Sequence, residues 1–206
     1  MSEQGSQEWR QDRSGLWTAS KFADLIAADK RTGKPLKCRA DAIWNCVVER
    51  MTGRPADGAS GFALQWGVDV EPDARQAFEL ETGKVVQQAG FIQHPKYAFA
   101  GASPDGLIGD DEGLELKSPY SSSVHLSRFL DGVPGEYLIQ IQGCMWVTCR
   151  KKWYFASFDP RMPPSHQLLI IPVLRDECVI AAIEAAVLAA EDEAVELQQR
   201  IERMAA

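Results

Sequence analysis

The residues best suited to chemistry lie in one short stretch. Ser103-Pro104-Asp105-Gly106 is followed, nine intervening residues after Asp105, by Glu115-Leu116-Lys117. The acidic turn Gly109-Asp110-Asp111-Glu112 separates two strand-like runs, so the stretch reads as a hairpin. Neighbouring strands lie ~5 Å apart, which brings the Asp105 and Glu115 carboxylates side by side at one end of a sheet. Paired oxygens of this kind suit a hard divalent cation such as Mg2+ or Mn2+. Alternation skips Leu116 and puts Lys117 on the face of Glu115. There an ammonium can meet a nucleophilic water or a scissile phosphate, while a bound metal lowers the water's pKa and screens charge in the transition state. The chemistry this suggests is phosphoester hydrolysis. Pro-Asp and Glu-x-Lys both also arise by chance on solvated strands, so the surrounding elements must decide.

Those elements can be read from periodicity. Thr18 to Ala28 reads as a helix with Thr18 or Ser20 as N-cap and Phe22, Leu25 and Ile26 on one face. A polar basic loop, Asp29 to Lys37, precedes a second helix at Arg39 to Thr52, with Ile43, Trp44, Val47, Val48 and Met51 as its apolar positions. Gly53-Arg54-Pro55 ends that helix, and Ala56 to Gly61 reads as a flexible link. Ala63 to Glu81 is a third helix despite Gly67 and Pro72, with Thr82-Gly83 as its stop. From Lys84 the period falls to two, which predicts short strands at Val85-Val86, Gly90 to Ile92, Ala98 to Ala102 and Gly113 to Lys117. Glu136 to Cys149 reads as a buried helix, although its β-branched content leaves a strand open. Trp153 to Phe158 and Gln167 to Leu174 read as strands. Asp176 to Met204 is an Ala- and Glu-rich helix with Val179, Ile183, Val187, Ala190 and Leu197 inward. This order predicts an α/β (α+β) domain, a central mixed β-sheet flanked by helices, spanning 1–206 as a single unit.

Composition bounds the function. At 206 residues, 45% hydrophobic and 25% charged, the chain can bury a substantial core. Trp17, Trp44, Trp146 and Trp153 sit in apolar patterns and are expected in that core, and periodicity alone would place Leu64 and Trp66 there too. There is no apolar run of 18 residues, and Met1 to Arg13 is polar with mixed charge, which argues against a membrane span and a secretory signal. Five Cys without a Cys-x-x-Cys pair suggest neither a disulfide framework nor a zinc ribbon, and point to a reducing compartment. The three His, His94, His125 and His166, are too scattered to suggest a metal cluster and read as surface or packing residues. A net charge of −7 exerts no global pull on nucleic acid. Binding to it would need a locally basic site, a metal, or enclosure of the ligand.

Four segments, taken in order, resemble a known family. They are Arg13 to Ser20 (R-x-G-x-x-T-A-S), Leu64 to Arg75 (W-G-x-x-x-E-x-D-A-R from Trp66), the Ser103 to Lys117 block, and Tyr137 to Thr148 (Y-x-x-Q-x-Q-x-x-M-W-V-T). Together they are similar to the lambda-exonuclease-type (YqaJ-type) viral recombinase alkaline exonucleases of the PD-(D/E)xK superfamily, over about Arg13 to Pro163. The resemblance implies a restriction-endonuclease-like fold and a Mg2+-dependent exodeoxyribonuclease. Such an enzyme digests linear double-stranded DNA 5′-to-3′ from phosphorylated ends to mononucleotides and leaves a 3′ single strand.

The resemblance also implies roles for residues. Asp105 and Glu115 match metal-binding carboxylates, with the Leu116 carbonyl as a further ligand for two Mg2+ ions or Mn2+ in their place. Lys117 matches the catalytic lysine, Glu71 a helix glutamate beside metal and water, and Gln140 a helix glutamine facing the site. Arg13, Ser20 and Ser103 match a pocket for the 5′-phosphate, a role for which an arginine fork and hydroxyls at a helix start are physically suited. Leu64 falls on an apolar wedge between the strands, and Arg31 on a loop arginine contacting DNA near it. The segment between Ser118 and Gly135 departs from the family and receives no role. A ring-shaped homotrimer enclosing DNA, a single-strand annealing partner, no membrane, and a cytoplasmic setting in a bacterial host of a phage or prophage are implied as well. Two other readings stay open: a structure- or sequence-specific endonuclease sharing Asp105, Glu115 and Lys117, and a DNA-end-binding scaffold with a lapsed site.

Overall fold

The computed structural model describes residues 4–29, 31–56 and 61–205; most of the expected link at Ala56 to Gly61 lies outside the described residues. The polar N-terminus forms a helix, α1 (Gln7–Asp12), whose N-cap Ser6 accepts from the Trp9 N–H at 3.1 Å. The helix expected from Thr18 starts later. Trp17–Thr18 is a strand, β1, paired in parallel with Ala100 and Gly101, and a 3-10 turn (Ala19–Lys21) leads into α2 (Phe22–Ile26). Sheet pairing therefore takes the segment that local capping chemistry assigned to a helix.

α3 (Lys37–Thr52) ends on Gly53 at φ +64°, the left-handed C-cap that glycine adopts without strain. It buries Ile43, Cys46 and Val47 but leaves Trp44 50% exposed, beside exposed Val48 and Met51. The expectation that Trp44 is a core residue is thus wrong. The helix carries two apolar stripes, and only the one containing Ile43 and Val47 meets the core. α4 (Phe62–Thr82) runs unbroken through Gly67 and Pro72 and buries Val70, Ala74 and Phe78.

The remaining elements are β2 (Ile92–Gln93), β3 (Ala100–Ala102), β4 (Gly106–Ile108), β5 (Glu112–Lys117), α5 (Ser122–Asp131), α6 (Gly135–Thr148), β6 (Lys152–Phe158), β7 (Leu168–Leu174) and α7 (Glu177–Ala205). Val85-Val86 is not a strand; the ladder there is a single bridge between Gln87 and Leu107. The expected central sheet is the four-stranded β4-β5-β6-β7, and a smaller three-stranded sheet, β1-β3-β2, stands apart from it. Ser103-Pro104-Asp105 separates β3 from β4, and proline cannot donate to a ladder. The larger sheet is mixed. β4 and β5 form the predicted hairpin, β5 and β6 run parallel across the α5–α6 crossover, and β7 returns antiparallel.

β5 and β6 are covered on both faces. Leu114, Leu116, Tyr154, Ala156 and Phe158 pack with Val70, Ala74 and Phe78 of α4, while Trp153 and Phe155 join the larger core of α2, α3, α6 and α7. β5 has no side chain at Gly113 because Trp153 occupies the space: a Cβ there would lie 2.4 Å from the indole ring. Gly113→Ala should overpack this fully buried contact and destabilise the protein by ~1–3 kcal/mol. Urea unfolding would read that as a lower midpoint, and an unchanged midpoint would contradict the packing described.

Candidate active site

The hairpin register builds the site. Gly106 pairs with Leu114, so Asp105, the residue just before β4, stands across from Glu115. Asp105 Oδ2 accepts from the Leu116 N–H at 2.7 Å, which fixes the carboxylate against the strand. Glu115 is fully buried. Its Oε1 accepts from Gln140 Nε2 of α6 at 2.6 Å and from Lys117 Nζ, whereas its Oε2 is buried with no partner. Lys117 Nζ also donates to the Leu116 carbonyl at 3.1 Å, lies 3.9 Å from Asp105, and sits 5.2 Å from the centre of the Tyr137 ring. Glu71 comes from α4, where Arg75, one turn later, pairs with it at 2.5 Å. A cleft of about 350 Å3 runs past Glu71, Lys117, Tyr137 and Arg128, with Leu64 and Gly67 of α4 on its wall.

The electrostatics follow from crowding three carboxylates around one ammonium. Burial pushes the Glu115 carboxyl up to about 7, with Lys117 opposing and Asp105 and Glu71 reinforcing the shift. Burial and the Asp105 charge also raise Glu71, against the pull of Arg75 and Lys117. Desolvation alone would lower Lys117, but Glu115 and Asp105 outweigh it and hold the ammonium above the usual lysine range. Among the described residues no three His, Cys, Asp or Glu side chains are arranged to hold a metal by themselves.

A second cluster lies two residues upstream of Asp105. The Arg13 guanidinium stacks 3.9 Å above the Trp9 ring and donates to Ser20 Oγ at 3.3 Å and Thr18 Oγ1 at 3.5 Å. Trp9 Nε1 in turn donates to Ser103 Oγ at 3.0 Å. Arg13, Ser20 and Ser103 are therefore brought together, and Trp9 is the bridge. Burial lowers Arg13 to about 10, and its Nε is buried without a partner.

The other predicted positions divide. Leu64 is 53% exposed on the cleft wall rather than in the core. Arg31 lies in an exposed turn whose backbone N–H donates to Asp29, and it is not among the cleft residues. Of the histidines, His94 is buried among Tyr97 and Trp146, His125 is buried and hydrogen-bonded to Ser157 and the His166 carbonyl, and His166 is exposed. All five cysteines are free. Two residues went unread. Trp9 had a readable signal, an aromatic four residues before Arg13 in a segment able to form a helical turn. Arg128 had none, because its partners come from β6 and α6.

A strand hairpin carrying Asp105, Glu115 and Lys117, extended by a parallel strand and closed by helices on both faces, makes this a mixed α+β domain with its charged cluster on the central strand. The chain belongs to the YqaJ-like viral recombinase family, whose profile matches residues 8–151. The crystal structure of an alkaline exonuclease from Laribacter hongkongensis, LHK-Exo, is similar over 97% of this chain and 98% of that one, with 34% identity and a TM-score of 0.88. Its complex with dAMP gives 0.89. A phage-related exonuclease from Haemophilus somnus 129PT shares the fold at a TM-score of 0.69 and 16% identity, covering 92% of this chain and 96% of that one. An uncharacterised protein, R354, of Acanthamoeba polyphaga mimivirus is 25% identical over 159 residues, 71% of this chain. The chain spans 27% of that relative's length.

The Glu115 carboxyl yields a pH test. Its pKa in the folded, metal-free protein exceeds the ~4.3 of an unfolded glutamate, so its stabilising contribution is full below about pH 4.5 and is lost as pH rises through about 7. In EDTA the wild type should therefore lose roughly 2–3 kcal/mol more between pH 5 and 8 than Glu115→Gln does. Parallel denaturation curves for the two proteins would contradict this burial-driven shift.

Proposed function

We propose that the protein is a Mg2+-dependent exodeoxyribonuclease that digests linear duplex DNA 5′-to-3′ from phosphorylated ends, releasing mononucleotides and leaving a 3′ single strand. The observation that carries this reading is the gathering of Asp105, Glu115 and Gln140 around Lys117, which lines one cleft with Glu71, beside a separate Arg13–Ser20–Ser103 cluster. Support for exonuclease chemistry comes from LHK-Exo, an alkaline exonuclease whose dAMP complex holds a mononucleotide.

The residues fit divalent metal. Glu115 presents an unpartnered buried oxygen, and Lys117 donates to Glu115 and to the Leu116 carbonyl, so an ammonium already satisfies two of the oxygens a cation would use. Asp105, Glu115 and the Leu116 carbonyl would hold Mg2+, two ions in the full reading, with Mn2+ as a substitute. When bound, the metal lowers the pKa of a water and neutralises charge developing on the phosphate.

The chain's own groups do the rest. In the metal-free protein Glu115 and Asp105 favour the Lys117 ammonium, a form that donates to a phosphate oxygen. Glu71, held raised by burial and Asp105, is the carboxylate placed to take the proton from water. Gln140 holds Glu115 in one orientation. Arg13 offers a stacked guanidinium with hydroxyls around it, a setting for a terminal phosphate dianion. Leu64, an exposed apolar side chain on the cleft wall, serves as the strand-separating wedge, and Arg31 as a DNA contact outside the cleft.

The same reading includes a homotrimeric ring, because enclosure offsets the weak attraction of DNA to a chain of net charge −7. It also includes a single-strand annealing partner for the 3′ strand and a cytoplasmic setting. No described helix is long and apolar enough to cross a membrane.

Three substrates test the reading: linear duplex with 5′-phosphate, the same duplex with 5′-hydroxyl, and a closed circle, each with Mg2+ or EDTA. Mononucleotides should be released from the phosphorylated duplex in Mg2+ alone, with the circle intact. Nicking of the circle would select the endonuclease reading, and binding without product the lapsed scaffold. Lys117→Ala should slow cleavage by about 10²–10⁴-fold, and cleavage at the wild-type rate would rule the centre out. Arg13→Ala should cut the preference for phosphorylated over hydroxyl ends by about tenfold or more, whereas an unchanged preference would remove the end pocket.

A further inference from the structure

The segment after Lys117, to which the family resemblance assigns nothing, delivers a cation to the cleft. α5 places Arg128 with 5% exposure on the cleft wall. Its position is set by a directional chain of hydrogen bonds. The His166 carbonyl can only accept, so it takes the His125 Nε2–H at 2.8 Å. With the imidazole neutral, His125 Nδ1 then accepts from the Ser157 hydroxyl at 2.8 Å, and in either state the Ser157 oxygen accepts from Arg128 Nη1 at 2.9 Å. Ser157 is the register partner of Lys117 across the parallel β5–β6 pair. Arg128 is thus anchored one strand over from the lysine of the centre. Both cations flank Tyr137, with Lys117 Nζ 5.2 Å and Arg128 Cζ 5.6 Å from the ring centre.

Among the described residues Arg128 lacks a carboxylate at ion-pair distance, and Glu136 acts on it only from farther away. Arg50, Arg75, Arg161 and Arg175 each hold a carboxylate at 2.5–2.8 Å. Among the described residues no carboxylate forms an ion pair with Arg128, and its Nε–H is buried with no partner. Burial holds its pKa below the ordinary arginine value, opposed by the neighbouring Tyr137 and Glu136. A buried cation without a paired anion is costly, and an anion entering the cleft removes the deficit. Arg13, a half-buried arginine that also has an orphaned Nε, presents the same signature at the proposed end pocket.

We propose that Arg128 binds a phosphate group in the cleft beside Lys117, so that lysine and guanidinium grip the same strand. The inference rests on the nuclease reading. The phosphate has two possible sources, the DNA strand lying in the cleft and the mononucleotide released from it, and the experiment separates them.

Arg128→Gln and Arg128→Lys would be compared with wild type in EDTA, where no cleavage occurs. The probes are a 5′-phosphorylated duplex, the same duplex with a neutral methylphosphonate at each phosphate near the end in turn, and dAMP. Thermal melts of all three proteins report folding. Arg128→Gln should weaken duplex binding by about 10–100-fold and reduce the salt slope by about one, with Arg128→Lys recovering part of both. One methylphosphonate position that weakens wild type but not Arg128→Gln places the phosphate on the DNA strand. A loss confined to dAMP assigns it to the product instead. Folded Arg128→Gln that binds duplex and dAMP as wild type does would overturn the proposal and leave the nuclease reading standing. So would a lower melting temperature with unchanged binding, which would make Arg128 structural only. Wild type that neither binds the duplex nor cleaves it in Mg2+ would remove both.

Discussion

A fully buried carboxylate, Glu115, set against the three-quarters buried Lys117 on the same strand, is the constraint around which this domain is arranged. Ions taken out of water cost several kcal/mol each, and their attraction seldom returns more than that. Such a pair is poor material for stability. Its neighbours show why it is tolerated. Gln140 satisfies one Glu115 oxygen, Asp105 and Glu71 add negative charge around the ammonium, and the other Glu115 oxygen is left without a partner. Clusters that push several titratable groups far from their ordinary values, in a cleft, mark functional sites.

The fold holds that arrangement by register. β5 is paired on both sides, to β4 and to β6, so Asp105 cannot slide relative to Glu115 without turning Leu114 and Leu116 out of the core against α4. α6 lies on the opposite face and supplies Gln140 and Tyr137, while α5 and α6 form the crossover that makes β5 and β6 parallel. The crossover does a second job, since it carries Arg128 to the residue beside Lys117. Of the two cations of the cleft, Lys117 thus contacts carboxylates directly, whereas among the described residues Arg128 forms an ion pair with none.

Much of this was legible in the residues. The turn Gly109 to Glu112 predicted the hairpin, and the period of two predicted that Glu115 and Lys117 share a face. The helix at Ala63 to Glu81 survived its glycine and proline, and Glu136 to Cys149 is the buried helix expected of it. Failures occurred where a distant partner decided. Trp17-Thr18 became a strand because Ala100 and Gly101 pair with it, and Trp44 stayed outside because the core needed only one of two apolar stripes. The expected mixed sheet flanked by helices is present as β4-β5-β6-β7, and only β1, β2 and β3, before Pro104, stand apart from it as a smaller sheet. Site residues followed the same division. Asp105, Glu115 and Lys117 are local and readable. Trp9 joins Arg13 to Ser103 across 94 residues of chain, and Arg128 meets Ser157 across 29, distances that no local pattern encodes.

The claim on which the rest stands is that Asp105 and Glu115 hold a divalent cation. Calorimetric titration of Mn2+ into the metal-free wild type, Asp105→Asn and Glu115→Gln addresses it directly, without substrate or turnover. Saturable binding to the wild type that is lost in both variants is the result expected. Binding of the same stoichiometry and affinity in all three proteins would contradict the account.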